Sequence, residues 1–532
     1  MKEFPPDFAI SLDSGSRRID DRIDDRTVLV GGSPLRLLRL SARGSQLVDR
    51  LAAGEPIPPD RSSWRLARRL LQTGLAHPRP ATGSGPYSAH DVTVVIPVRD
   101  QTDGLKRLLA ETGVLDDVAK VVVVDDSSSD AREVRRICKQ ASSEERGDRI
   151  VELVRNEIAL GPGAARNKGV DLCSTDLVAF FDADCVPQAD WTTHLLSHFA
   201  DSCVAAVAPR VRPGSPVGYS DSGSDSGEDV RDPHELYGRL LMYEELHSPL
   251  DLGQAEDYVR PGGRVPYVPT AALLVRRDVL DRVGGFDSEL RVGEDVDLVW
   301  RIVESGWTVI YEPTVTATHD IRRGLIRWLL QRFAYGTSAA PLAKRHPGAL
   351  APLRISGWSA AVWGLIGSGH PVAGASVAGV TTALLTPRLE ELRHPLAESA
   401  RITGTGHAMA GRLIGHAIRR VWWPVALAAS LPSRRVRRVI AAAFVIPPLI
   451  EWVTRRPKMN PVRWCAMRVA DDLSYGAGVW VGCWRERSLA PLLPDFSNWP
   501  GRSSAVEGAV ADQRTCGPTT ETIHSKPTET DG

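Results

Sequence analysis

The run Phe180-Phe181-Asp182-Ala183-Asp184 ends an apolar stretch in two carboxylates spaced i, i+2. Residues two apart on a strand point the same way, so both acids address one place. Two like charges there repel unless something neutralises them. Hard oxygen donors favour Mg²⁺ or Mn²⁺ over zinc. Such an ion would offset charge growing on a diphosphate leaving group. Asp184 suits the metal, and Asp182 a ribose hydroxyl or support of the metal. The plainer alternative is a helix cap ahead of Pro187.

Four further pieces fall in order around this one. Val95-Ile96-Pro97 precedes a loop at Arg99-Asp100. Asp125-Asp126-Ser127-Ser128 follows Val121–Val124, where a carboxylate can accept from a base or a ribose, or cap a helix. Gly293-Glu294-Asp295 opens a helix-period stretch. Asp295 can act there as general base on a hydroxyl, although acids at a helix N-terminus also compensate its dipole. His319, after Tyr311-Glu312-Pro313, is a candidate further metal ligand. Gly284-Gly285-Phe286 is a turn that admits close backbone approach. Gly161-Pro162-Gly163 precedes Arg166 and Lys168. It imitates half of GxGxxG, but Arg166 stands at the third glycine and the segment is not the first βα unit, which disfavours hydride transfer.

The elements that must carry these residues are short apolar strands at 92–98, 120–124, 150–154, 177–181, 204–208, 270–275 and 308–311, alternating with helical stretches. This rhythm predicts an α/β domain over 91–345 with a mostly parallel sheet and helices on both faces. Ligands of open α/β sheets bind beyond the carboxyl ends of the strands. Residues 213–233 form a long polar loop, of the kind that is functional or disordered.

The chain has 532 residues, enough for two or three domains, with 65 basic and 65 acidic residues. No global field recruits nucleic acid, and no nucleic-acid partner is expected. Seven Cys without a CxxC pair argue against a disulfide framework or a Cys-ligated zinc site. Residues 1–27 read as a charged N-terminal segment without a signal peptide. Residues 28–78 read as a small α+β, winged-helix-like module, and 79–90 as a linker. Residues 346–499 read as an apolar, Arg- and Trp-rich helical region. Within it, 356–386 lack Asp, Glu, Lys and Arg, and Trp422, Trp423, Trp452 and Trp464 sit beside Arg pairs. That pattern suits the cytoplasmic face of the cell membrane, or a buried helical accessory domain. Residues 500–532 read as a disordered tail.

Together the five pieces resemble family 2 glycosyltransferases, which have the GT-A fold; the likeness covers about 92–320. It implies an inverting hexosyltransferase that uses Mg²⁺ or Mn²⁺ and a nucleotide-sugar donor. By position, Pro97, Asp125, Asp126, Arg166 and Asp182 would serve the nucleotide, and Asp184 and His319 the metal. Asp295 would be the base beside Glu294, with Gly285 and Phe286 on the acceptor side. Arg99-Asp100 departs from the aromatic residue and Asn common after the first strand. The Gln-x-x-Arg-Trp motif of processive synthases is absent. The whole layout is similar to the mycofactocin-system branch of actinobacteria. That resemblance implies UDP-glucose as donor, premycofactocin as acceptor and β-1,4-linked glucose units in the product. Two other readings stay open: a family 2 enzyme adding rhamnose, mannose or galactofuranose to an envelope glycan, and a catalytically inactive peptide- or DNA-binding protein.

Overall fold

The computed structural model describes residues 3–20, 27–111, 113–142, 150–214, 233–390 and 392–496. Most of the 213–233 loop, part of the charged N-terminal segment and the tail beyond 496 lie outside the described residues.

A nine-stranded sheet forms the centre. Val92–Val98 lies between Lys120–Asp125 and Leu177–Phe181, parallel to both, and Val151–Arg155 extends the parallel part. In this part Val94 and Ile96 bury one way, while Val95 buries the other way. That is the alternation of a strand covered on both faces. Leu105, Leu108 and Leu109 of helix Thr102–Ala110 pack on the first face. Leu298, Val299 and Ile302 of helix Glu294–Glu304 pack on the second.

The expectation of a mostly parallel sheet needs correction. Ala272–Arg276 runs antiparallel to both Leu177–Phe181 and Val204–Gly214, so the sheet is mixed. Its second half is built on two long strands, Val204–Gly214 and Thr308–Asp320, which pair parallel. Apolar patterning shows only their buried first halves. Beyond Pro209 and Pro313 the strands continue with alternating polar residues, after a register shift between Pro209 and Arg210. The extension matters, because it carries His319 alongside Cys185.

The N-terminal module begins before residue 28. Ala9–Leu12 pairs antiparallel with Ala76–Arg79, because Phe8 and Ile10 bury against Leu70, Leu71 and Leu75. Thr27–Gly31 and Arg36–Leu40 form a hairpin, and Ser41 caps helix Ala42–Ala52 by accepting from Gly44 N–H. The module shares a core with the first sheet face, and Arg68 forms a buried ion pair with Asp201.

The C-terminal region is helical, but 356–386 is not one span. Helix Gly357–Gly367 stops, Gly369 takes φ +90°, and Pro371 starts helix Pro371–Leu385. Proline is well suited to the first helical turn, where its missing N–H has no intrahelical partner. No helix among the described residues is long and apolar enough to cross a membrane.

Candidate active site

A cavity of about 790 Å³ opens at the carboxyl ends of the parallel strands. Pro97, Asp126, Arg166, Asp182, Asp184, Glu294, Asp295 and His319 all line it. Residues up to 222 positions apart in the chain, Pro97 and His319, thus meet at one sheet edge, where the strand ends leave backbone and side chains free to meet a ligand.

Asp184 and His319 face each other across the short pairing of Cys185–Pro187 with the end of Thr308–Asp320. Asp184 Oδ1 lies 3.3 Å from His319 Nε2. The other Asp184 oxygen accepts from the Gln101 amide. Burial works to raise the Asp184 pKa, but the His319 charge and hydrogen bond outweigh it and lower it. For His319 burial works downward, and Asp184 outweighs it to give a raised value. Asp182, Asp184 and His319 can each offer an atom within 4.8 Å of the others. Two carboxylate oxygens and an imidazole form a donor set that can hold a divalent cation. Gly104 allows this close packing, since a Cβ there would lie 2.9 Å from Asp184 Cα.

Arg166 ties this cluster to the far wall. Its Nη2 donates to Asp182 Oδ1 at 2.6 Å and its Nη1 to Glu294 Oε1 at 2.9 Å. The guanidinium is buried. Burial alone would lower its pKa, yet Asp182 and Glu294 raise it. Asp295 follows Glu294 in the first turn of its helix, after Gly293 at φ +84°. Its pKa is pushed up to about 7, first by burial and then by the Glu294 charge; the Val296 N–H and Arg166 oppose the shift. A carboxylate with that value can take a proton near neutral pH.

Three sequence-predicted residues lie off the cavity wall. Asp125 is buried, accepts from Ser128 N–H at 2.8 Å and pairs with Arg155, so it shapes the loop after its strand. Gly285 and Phe286 lie behind the wall. Asn167 holds both ends of Phe286, accepting from its N–H at 2.8 Å and donating to its carbonyl at 2.7 Å. The Phe286 ring then packs edge-on to Phe180 and lies 5.4 Å from the Arg166 guanidinium. This turn positions Arg166. Asp126 does line the cavity, but its oxygens hold the opposite loop, accepting from Asn156 Nδ2, Leu160 N–H and Gly161 N–H.

Sequence reasoning missed Gln101, Arg322 and the tyrosines Tyr267, Tyr335 and Tyr475, which also line the cavity. Only Gln101 left a signal, by following Arg99-Asp100 at the mouth of the first strand.

The mixed sheet, its acidic edge and a family model for glycosyl transferase family 2 over residues 93–284 agree. The chain belongs to the family 2 glycosyltransferases. It is 39% identical over 507 residues to the pre-mycofactocin glycosyltransferase of Mycobacterium tuberculosis, across 92% of this chain and 98% of that one. It is 26% identical over 234 residues to glycosyltransferase AglE of Haloferax volcanii, across 43% of this chain and 67% of that one. A mannosyltransferase from Pyrobaculum calidifontis, solved with GDP-Man and Mn2+, aligns over 79% of this chain and 93% of its own. That alignment has 18% identity and a TM-score of 0.41.

Proposed function

We propose that this glycosyltransferase moves glucose from UDP-glucose to premycofactocin with inversion, building β-1,4-linked units. The observation that carries the chemistry is the raised Asp295 carboxylate in the same cavity as the Asp182, Asp184 and His319 cluster. The near full-length likeness to the mycobacterial enzyme supports the acceptor.

Asp182, Asp184 and His319 would hold Mg²⁺ or Mn²⁺. The ion, when bound, supplies positive charge against the diphosphate as it leaves. Asp295 takes the proton from the acceptor hydroxyl. The acceptor oxygen bonds to the sugar C1 as the bond from C1 to the diphosphate oxygen breaks, so nucleoside diphosphate leaves from the opposite face. Arg166 bonds both Asp182 and Glu294 and so fixes the two carboxylates relative to each other. Glu294 in turn holds the Asp295 pKa high enough for proton transfer. Asp126 orders the 156–161 loop at the nucleotide side.

The experiment is mass spectrometry of premycofactocin incubated with the enzyme, UDP-glucose and Mn²⁺. Products heavier by successive hexose units are expected. An unmodified acceptor, alongside folded enzyme that consumes UDP-glucose, refutes the acceptor assignment.

The C-terminal helices also expose Val425, Leu431, Val445, Ile446, Ile450 and Val453. Arg434, Arg435, Arg437 and Arg438 lie between these runs. We assign this surface to peripheral contact with anionic lipid at the cytoplasmic face of the cell membrane. Co-sedimentation with vesicles containing phosphatidylglycerol is the check. Equal recovery with neutral vesicles removes the charge argument, and no recovery removes the contact.

A further inference from the structure

The half of the cavity beyond Asp295 is not made by the family 2 domain alone. Helix Pro461–Glu486 contributes Arg468, Asp471 and Tyr475, and helix Pro395–Arg420 contributes Arg420. Helix Leu325–Thr337 contributes Gln331, Arg332 and Tyr335, and the loop before Thr270 contributes Tyr267.

This wall is built with unusual closeness. A Cβ on Gly336 would lie 2.0 Å from the Tyr475 carbonyl oxygen, and one on Gly478 would lie 2.0 Å from the Phe333 carbonyl oxygen. Gly476 meets the Arg420 carbonyl in the same way, at 1.9 Å. Only glycine lets three helix backbones touch here. The contact fixes the depth at which Tyr475 enters the cavity.

The wall is also held by ion pairs. Arg332 Nε lies 3.2 Å from an Asp471 oxygen, and Arg468 and Arg420 both reach Asp472. The arginines are therefore neutralised within the protein, and they do not make an anion site. Three phenol rings remain to offer contact. Tyr267 donates to the Pro249 carbonyl at 2.7 Å, Tyr335 accepts from Gln331 at 2.9 Å, and the Arg420 guanidinium lies 3.6 Å from the Tyr475 ring centroid. Each ring is tied in place, and each is partly exposed. Tyr267 and Tyr335 line the same cavity as the Asp295 carboxylate.

We propose that the C-terminal helices form the acceptor wall, and that Tyr475, with Tyr267 and Tyr335, receives a flat ring whose hydroxyl is presented to Asp295. The inference rests on the glycosyl-transfer reading given above. Tyrosine supplies a rigid apolar face at low entropic cost, which suits an aromatic ring or the apolar face of a pyranose. Both sources share this chemistry. The first transfer would present the ring of the starting acceptor, and later transfers the last glucose added.

The full chain is assayed with Mn²⁺ and UDP-glucose against two acceptors, premycofactocin and methyl β-glucoside, which has no aromatic ring. UDP affinity is measured by calorimetry for each variant. Tyr475→Ala is expected to raise the acceptor KM about fivefold or more, with UDP affinity kept within about twofold. Tyr475→Phe is expected to keep the acceptor KM near wild type. A rise for premycofactocin alone assigns the wall to an aromatic ring, and a rise for the glucoside alone assigns it to a sugar. Unchanged acceptor KM for both in Tyr475→Ala overturns the inference. So does an equal rise in Tyr475→Phe, because the ring is then not the contact. A wild-type enzyme that binds no UDP and consumes no UDP-glucose refutes the glycosyl-transfer reading itself, which is a separate outcome.

Discussion

Asp184 and His319 stand 3.3 Å apart although 135 positions separate them, because Cys185 pairs directly with His319 on the neighbouring strand. An ion seated there would replace the proton that His319 shares with Asp184. Burial opposes that proton and Asp184 favours it, and the raised His319 pKa shows which wins. Mn²⁺ affinity is therefore expected to weaken as pH falls through this raised value and to strengthen above it. Calorimetric titration at several pH values checks this. Asp184→Asn is expected to weaken Mn²⁺ binding at least about tenfold.

With Asp295 as the proposed base, the activity profile is expected to have an acid limb set by this residue. Its carboxyl must be ionised to accept a proton, and burial and Glu294 raise its pKa to about 7. Turnover is expected to fall as pH drops below that value. Glu294→Gln removes a neighbouring negative charge, so the limb is expected to move to lower pH. Asp295→Asn is expected to cut kcat by about 100-fold or more while sparing UDP affinity.

Arg166→Met leaves two acids facing each other without their cation. Glu294 is buried, while the Asp182 side chain is 29% exposed, so water screens part of the repulsion. A loss of about 3 kcal/mol is expected, at the low end for a broken buried pair. Thermal unfolding measures it. The same variant is expected to shift the activity limb to higher pH, because Arg166 holds the Asp295 pKa down.

Gly478→Ala tests the contact between helices Leu325–Thr337 and Pro461–Glu486. The new methyl group would meet the Phe333 carbonyl oxygen at 2.0 Å, so the helices must separate. About 1–3 kcal/mol of destabilisation is expected from the overpacking. An unchanged melting temperature would show that the helices part freely.

The acidic edge of the sheet was legible because Asp126, Asp182 and Asp184 follow apolar strands, and period-2 burial marks where such a strand ends. Asp125 was misleading for the same reason. It ends its strand like Asp126, but adjacent residues on a strand point apart, and Asp125 turns inward to Arg155. Gly285 and Phe286 carried the signal of a tight turn, which is equally strong when the turn only braces Arg166. The long outer strands were cut short because Thr314, Thr316 and Thr318 carry no apolar pattern. Tyr267, Tyr335 and Tyr475 left no trace, since their meeting depends on helix packing that no local spacing encodes.

The doubling back at Gly369 decides which side of the molecule the rest of the chain inhabits. Helices Gly357–Gly367 and Pro371–Leu385 form a hairpin, and His407 fastens it, bonding Ser359 at 3.0 Å and Thr381 at 2.9 Å. A single straight rod of the same composition would carry everything after it some 45 Å away, at about 1.5 Å per residue. Folded back, the run instead returns the polypeptide to its starting end. Arg420 and Tyr475 are thereby delivered to the rim of the sheet. This stretch without charged residues thus acts as a switchback, routing helices Pro395–Arg420 and Pro461–Glu486 back to the cavity.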